Sequence, residues 1–265
     1  MLYREGKGLM LLCQMDVSGR TQDDPAARRL VTNILDYVAA WTPAPRRTVL
    51  YVGDDAGKSF LQQDGLTVGP YEGGKPAVDQ VLVVGPNGGQ TLAANADALR
   101  EWVKVGGHVL AIGAGAQDAN AFLPAPVTAK RAEHLCTVFD PPGAKSLLAG
   151  VGPADVFNRD PRQIELLSGG PVVLGDGVLA CAPDANVVFS QLAPWTFDQS
   201  RFNQKRTFRR TAYLVARVLG NMGVGGSTPL LARFSSPAGT PEPWLDSFYL
   251  DKPQEFDDPY RYFGW

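Results

Sequence analysis

Between residues 46 and 222, short continuous apolar runs alternate with stretches of helical period. Residues 48–52 (TVLYV) predict a β-branched strand that ends in Gly53-Asp54-Asp55. A short helix over 56–64 and a strand at 66–68 (LTV) follow. Residues 79–84 (DQVLVV) predict another strand, closed by Gly85-Pro86-Asn87-Gly88-Gly89. Over 91–105, Leu92, Ala96, Leu99, Trp102 and Val103 share one helical face before Gly106-Gly107 stops it. Residues 109–112 form a strand that runs into a glycine turn, after which Gln117-Asp118 can begin a helix. Residues 186–192 (NVVFSQL) predict a last strand. The helix over 203–222 turns Phe208, Ala212, Val215, Val218 and Leu219 inward. Strands with no polar alternation are buried on both sides. Alternated with helices, they predict an α/β fold with a mostly parallel sheet and helices on both faces. Sites in such sheets lie beyond the strand carboxyl ends, here near 53–55, 85–89 and 113–118.

Residues 119–185 are less regular and predict a β-rich insertion. Within it, 172–174 and 177–182 make a hairpin around Asp176-Gly177. Residues 226–265 are proline-rich, and their stretch 236–265 carries eight aromatics without any regular period, which predicts an irregular strap against a surface. At the other end, the opening stretch echoes a later one. Gln14-Met15 and Gln191-Leu192 each end an apolar run, and Arg28-Arg29 and Arg209-Arg210 each lie at the start of an amphipathic helix. The expected division is therefore 1–45, a strand-helix unit like the end of a preceding repeat; 46–225, the α/β domain; and 226–265, the strap. A lone strand at 9–15 is expected to pair with the main sheet or with another chain, because its backbone groups need partners.

Composition narrows the function. With 265 residues, 45% hydrophobic, 20% charged and a net charge of −2, the chain lacks the basic footprint of a nucleic-acid binder. No apolar run approaches the ~20 residues that span a bilayer. The N-terminus makes a poor secretion signal, so a cytoplasmic location is the default expectation. Cys13, Cys136 and Cys181 are widely spaced, which argues against a disulfide framework or a zinc site; small apolar fillers are expected. No cofactor and no metal is expected.

The candidate chemistry centres on GHVLAIGAGAQD, residues 107–118. A strand passing through a sharp glycine turn into a helix is where many α/β enzymes raise a nucleophile clear of the sheet. Here the residue on the turn is Gly113. The order of elements from 48 to 116 resembles the class I glutamine amidotransferase-like fold, whose active members read G-I-C-x-G-H-Q at this turn. In Ala111-Ile112-Gly113-Ala114-Gly115-Ala116-Gln117, Ile112, Gly115 and Gln117 agree, while Gly113 replaces the cysteine and Ala116 the histidine. The family's later His-x-Glu pair is absent too: the two histidines, His108 and His134, begin no such pair. The resemblance implies a degenerate elbow without glutaminase activity. Such copies occur as non-catalytic domains of large bacterial glycoside hydrolases, including the trimerisation domain of some β-galactosidases. It implies further an assembly or scaffold role in the C-terminal part of a carbohydrate-active enzyme, with other domains or a second copy as partner.

Two other readings stay open. Asp54 and Asp55 are paired carboxylates at the right edge for a hydrolase, although Asp-Asp-Ala-Gly after a strand also suits a helix cap. Alternatively Asp54, Asp55, Gly113, Gln117 and Trp195 line a crevice for a sugar or small molecule, with Trp195, Phe197 and Phe202 stacking on the ligand or packing on a neighbour. Cys13 lacks a histidine nearby, His108 precedes a strand at the opposite edge, and Gly113-Ala114-Gly115 lacks the third glycine of a dinucleotide turn. Asp155, Arg159, Asp160 and Arg162 suit loop ion pairs.

Overall fold

The computed structural model describes residues 2–5, 8–42, 46–63, 66–182 and 186–224. Residues up to 42 and those from 46 to 224 belong to different compact units. The first begins with strands β1 (Leu2–Glu5) and β2 (Gly8–Leu11), paired antiparallel with Leu2 opposite Leu11. The strand expected over 9–15 thus finds its partner in the residues just before it and stops at Leu11. Helix α1 (Pro25–Ala40) starts where Asp24 accepts from the Ala26 and Ala27 amides at 2.8 and 3.3 Å and Pro25 supplies a preset φ. Ala27 is its one buried residue, while Leu35, Tyr37 and Val38 are exposed.

The second unit starts with β3 (Thr48–Val52), α2 (Asp55–Gln63), β4 (Val68–Pro70) and β5 (Gln80–Val84). Next come α3 (Gly88–Ala93), α4 (Ala96–Lys104), β6 (His108–Ile112) and α5 (Ala116–Phe122). Strands β7 (Thr128–His134), β8 (Arg162–Gly169), β9 (Val172–Leu174), β10 (Leu179–Cys181) and β11 (Val187–Ser190) lead to α6 (Phe202–Asn221). Seven strands share one sheet in the order β4-β3-β5-β6-β11-β10-β9. The pairs from β4 to β11 are parallel; β10 and β9 close that edge antiparallel. The fold is α/β and mostly parallel. Strands β7 and β8 form an antiparallel hairpin of their own, Thr128 opposite Gly169.

Alternate residues of the central strands enter two different apolar clusters. Val81, Val83, Leu110 and Ile112 pack with Phe60 and Leu61 of α2 and with Leu214, Val215 and Val218 of α6. Leu82, Val84, Val109 and Ala111 pack with Leu92, Leu99, Trp102 and Phe122 of α3, α4 and α5. Each such aliphatic residue contributes ~1.5–3 kcal/mol gross, which is why the strands carry no polar alternation.

Several expectations need correction. The single helix over 91–105 is two helices broken at Ala94-Asn95, where Asn95 Oδ1 accepts from the Gly74 amide at 2.9 Å. Helix α3 starts earlier than its period suggests because a residue of another helix caps it: Asp118 accepts from Asn87 N at 3.2 Å and Gly89 N at 3.0 Å. The strand read at 66–68 begins two residues later. The 172–182 hairpin forms as expected around Asp176 (φ 59°) but extends the main sheet instead of standing apart. Two of the three cysteines are not core fillers: Cys13 and Cys136 are exposed, whereas Cys181, half-buried, packs against the first apolar cluster. The echoed strands also pair differently, β2 in an antiparallel hairpin and β11 parallel to β6. The strap read over 226–265 lies outside the described residues.

Candidate functional site

Two clefts open at the carboxyl ends of the parallel strands. The first is centred on the elbow. Gly113 follows β6 with φ +61° and donates its amide to Ser190 O at 2.7 Å. That φ is left-handed, the conformation in which a residue leaves the line of the strand. A Cβ there would stand 3.2 Å from Ala193 Cβ and 3.6 Å from Pro86 Cγ, close but without overlap. Gly113 lines a cleft of about 300 Å3 with Pro86, Arg131, Arg162, Glu165 and Gln191.

Side chains from the β7–β8 hairpin and the loop after β11 close this cleft. Glu165 Oε2 accepts from Ala116 N at 3.2 Å. Gln191, 5% exposed, donates Nε2 to Ala114 O at 3.3 Å. Arg162 pairs with Asp160, donates to Thr196 O at 3.1 Å and lies 4.5 Å from the Phe197 ring centroid. These bonds tie Glu165, Gln191 and Arg162 to the backbone, and Glu165 is the one carboxylate that lines the cleft among the described residues. Neither cysteine nor histidine lines the cleft among the described residues. His134 is buried elsewhere, its Nε2 2.7 Å from Val156 O. His108 starts β6 at the far end, where burial and then Arg47 hold its pKa below the usual imidazole value.

The second cleft lies outside β3 and β5, where the sheet order reverses. Asp54 caps α2: its Oδ1 accepts from Gly57 N at 2.8 Å. The same oxygen accepts from the Tyr51 hydroxyl at 3.1 Å, and Oδ2 accepts from the Trp195 indole N–H at 3.3 Å. Burial, then the Asp54 charge and hydrogen bond, push the Tyr51 phenol well above its ordinary pKa. Three glycines leave room for that hydroxyl. A Cβ at Gly53 would come within 2.6 Å of it, and one at Gly57 or Gly85 would overlap it. The Trp195 ring packs on Phe60 with centroids 5.8 Å apart. The cleft itself, about 300 Å3, is lined by Asp55, Lys58, Tyr71, Pro86, Asn87 and Thr91, with Tyr51 and Asp54 at one side.

The fold therefore brings Asp54 and Trp195 into contact and sets Asp55 beside them. Gly113 belongs to the other cleft, with Pro86 common to both. Gln117 is exposed and lines neither, and Ala116 is the first residue of α5. The single crevice expected across 53–55 and 113–117 is two clefts. Sequence reasoning missed Tyr51, Arg131, Glu165 and Gln191. Glycines at 53 and 57, just after Tyr51, and at 85, just after the next long strand, were the available signal for the first. Arg131 and Glu165 sit in a hairpin with no apolar run to announce it.

Of the charged loop cluster, Asp160 pairs with Arg162 and Asp155 accepts from Gly152 N at 2.8 Å. Among the described residues no three or more of His, Cys, Asp and Glu are grouped to hold a metal, and no helix is long and apolar enough to cross a membrane. No protein-family model matches the chain, and no curated protein matches it significantly.

Proposed function

We propose that this chain is a non-catalytic amidotransferase-like domain with an assembly or scaffold role, belonging to the C-terminal part of a larger carbohydrate-active enzyme. The observation that carries the reading is the elbow. The fourth of the parallel strands ends in a left-handed turn at Gly113 that faces a cleft and carries no reactive atom. The sheet order supports it, since β3 stands between β4 and β5, the flavodoxin-like arrangement. Glutamine hydrolysis in that family needs a thiolate to attack the amide carbon and a base to take its proton. Glycine offers no thiolate, and Ala116 no base.

The hydrolase alternative finds less support. Both oxygens of Asp54 already accept hydrogen bonds from Gly57, Tyr51 and Trp195. A carboxylate so occupied is a structural cap. For assembly, residues 1–42 offer apolar surface: Leu12 is 52% exposed, Met15 58% and Leu35 62%.

Two measurements on the full chain test the reading. Incubation with glutamine should release no ammonia above buffer, and light scattering should give a mass above that of one chain. Ammonia release that disappears when one cysteine is replaced would overturn the first half. A monomer at every concentration would overturn the second.

A further inference from the structure

The cleft outside β3 and β5 is lined by polar side chains with nothing to bind. Asp55, Lys58, Asn87 and Thr91 all line it, and none makes a side-chain hydrogen bond or ion pair with the described residues. Asp54, by contrast, is fully engaged, which fixes the inner wall. Tyr51 is 6% exposed and locked between Asp54 and three glycines. Tyr71 is held by its hydroxyl, 2.6 Å from Gly74 O, so its contribution to the wall is also fixed. A rigid wall facing uncommitted donors and acceptors is the build of a small-molecule site.

The position is the point where the strand order reverses, to which open α/β sheets bring their ligands. Phosphate-bearing ligands use helix-start amides there. In this protein three of those amides are already taken. Gly57 N of α2 donates to Asp54, and Asn87 N and Gly89 N at the start of α3 donate to Asp118. Among the described residues Lys58 is the one cation in the lining, against Asp54 and Asp55. An anion would therefore be repelled by two carboxylates that one lysine offsets only in part. A neutral ligand would not.

We propose that this cleft binds a neutral, polyhydroxylated molecule the size of one sugar ring. Asp55 accepts from ligand hydroxyls, Lys58 donates to them, and Asn87 and Thr91 do both. Pro70, Pro86 and Tyr71 supply the apolar wall for the C–H face of the ring. The volume of about 300 Å3 lies at the lower end of small-molecule sites, which limits the ligand to a single ring. No turnover is involved, since nothing in the lining is placed as a nucleophile. The inference is independent of the role assigned to the elbow cleft, and its failure would leave that role standing.

The test is a titration of the isotopically labelled full chain, followed by amide chemical shifts. The probes are D-galactose, D-glucose, myo-inositol, inorganic phosphate and flavin mononucleotide. At least one neutral probe should bind saturably with a dissociation constant of about 1–10 mM, a range ordinary for a small open site. Its binding should weaken about ten-fold in Asp55→Asn and again in Thr91→Val, the loss expected for one charge-assisted or one neutral hydrogen bond of the upper strength. Both residues are exposed, so both variants should fold, which circular dichroism checks. Phosphate and flavin mononucleotide should not compete. Three results would each overturn the proposal: no saturable shift with any neutral probe, unchanged affinity in both variants, or displacement of the neutral probe by either anion.

Discussion

Pro86 lines two clefts of about 300 Å3 along one sheet edge, and each is built on glycine for an opposite reason. At Gly113 the backbone demands it. The φ of +61° is one that side chains resist, while a Cβ would press on Ala193 without overlapping any atom. At Gly57 and Gly85 the φ lies outside the left-handed region, so any residue could adopt it. What forbids a side chain there is the Tyr51 hydroxyl. Glycine thus marks an elbow in one cleft and packing around a buried phenol in the other. The sequence letters are the same in both.

The sharpest way to separate the two is Gly85→Ala. An added methyl would overlap the Tyr51 hydroxyl, and the ring cannot swing away because Asp54 and Gly57 hold its other side. Overpacking of this kind costs about 3 kcal/mol. Chemical denaturation should show that loss, and Tyr51→Phe in the same chain should recover more than half of it by removing the overlapped oxygen. Equal losses in the single and double variants would mean that the hydroxyl is not what requires glycine at 85.

Gly113→Ala should cost less, about 1–2 kcal/mol, the strain of a left-handed φ for an L side chain. Here Tyr51→Phe should recover nothing, since the two sites are in different clefts and their effects should add. Gly113→Cys should fold similarly and still release no ammonia from glutamine, because Ala116 supplies no base. A Cys variant with glutaminase turnover would break the contrast by showing that the elbow cleft retains its machinery.

What the sequence disclosed follows the same line between backbone and packing. The central strands were legible because Val81–Val84 and 109–112 are buried in two clusters at once and must be apolar throughout. The elbow was legible because a glycine turn after such a strand has a local signature. The β7–β8 hairpin was not, because TAKRAEH carries charge at alternate and adjacent positions and packs little of itself away. The break at Asn95 was hidden for another reason. Its cause is a hydrogen bond to Gly74, a residue 21 positions distant. The division of Asp54 from Gly113 into separate clefts was equally invisible, since it depends on where Pro86 and the hairpin come to lie. Asp54 itself was legible in kind: Asp-Asp-Ala-Gly after a strand allowed a cap, and a cap is what forms.

The smallest effect probes the caged phenol directly. Tyr51→Phe removes one hydrogen bond to Asp54 and should cost about 1 kcal/mol at neutral pH. The cost should shrink in alkali. Burial and the Asp54 charge raise the phenol's pKa in the folded state, so the folded protein keeps Tyr51 neutral where the unfolded chain ionises it. A group raised in this way gives its full stability below the unfolded value, near pH 10, and loses it as the pH climbs toward the folded value. Wild type should therefore lose stability above about pH 10 through this residue, and the phenylalanine variant should not. Denaturant midpoints of both proteins, measured at neutral pH and at about pH 10.5, should converge or cross. A gap that stays constant across that range would show that the Tyr51 hydroxyl is as well solvated in the folded protein as in the unfolded chain. The second cleft would then be no more closed around its tyrosine than the first is around Gly113.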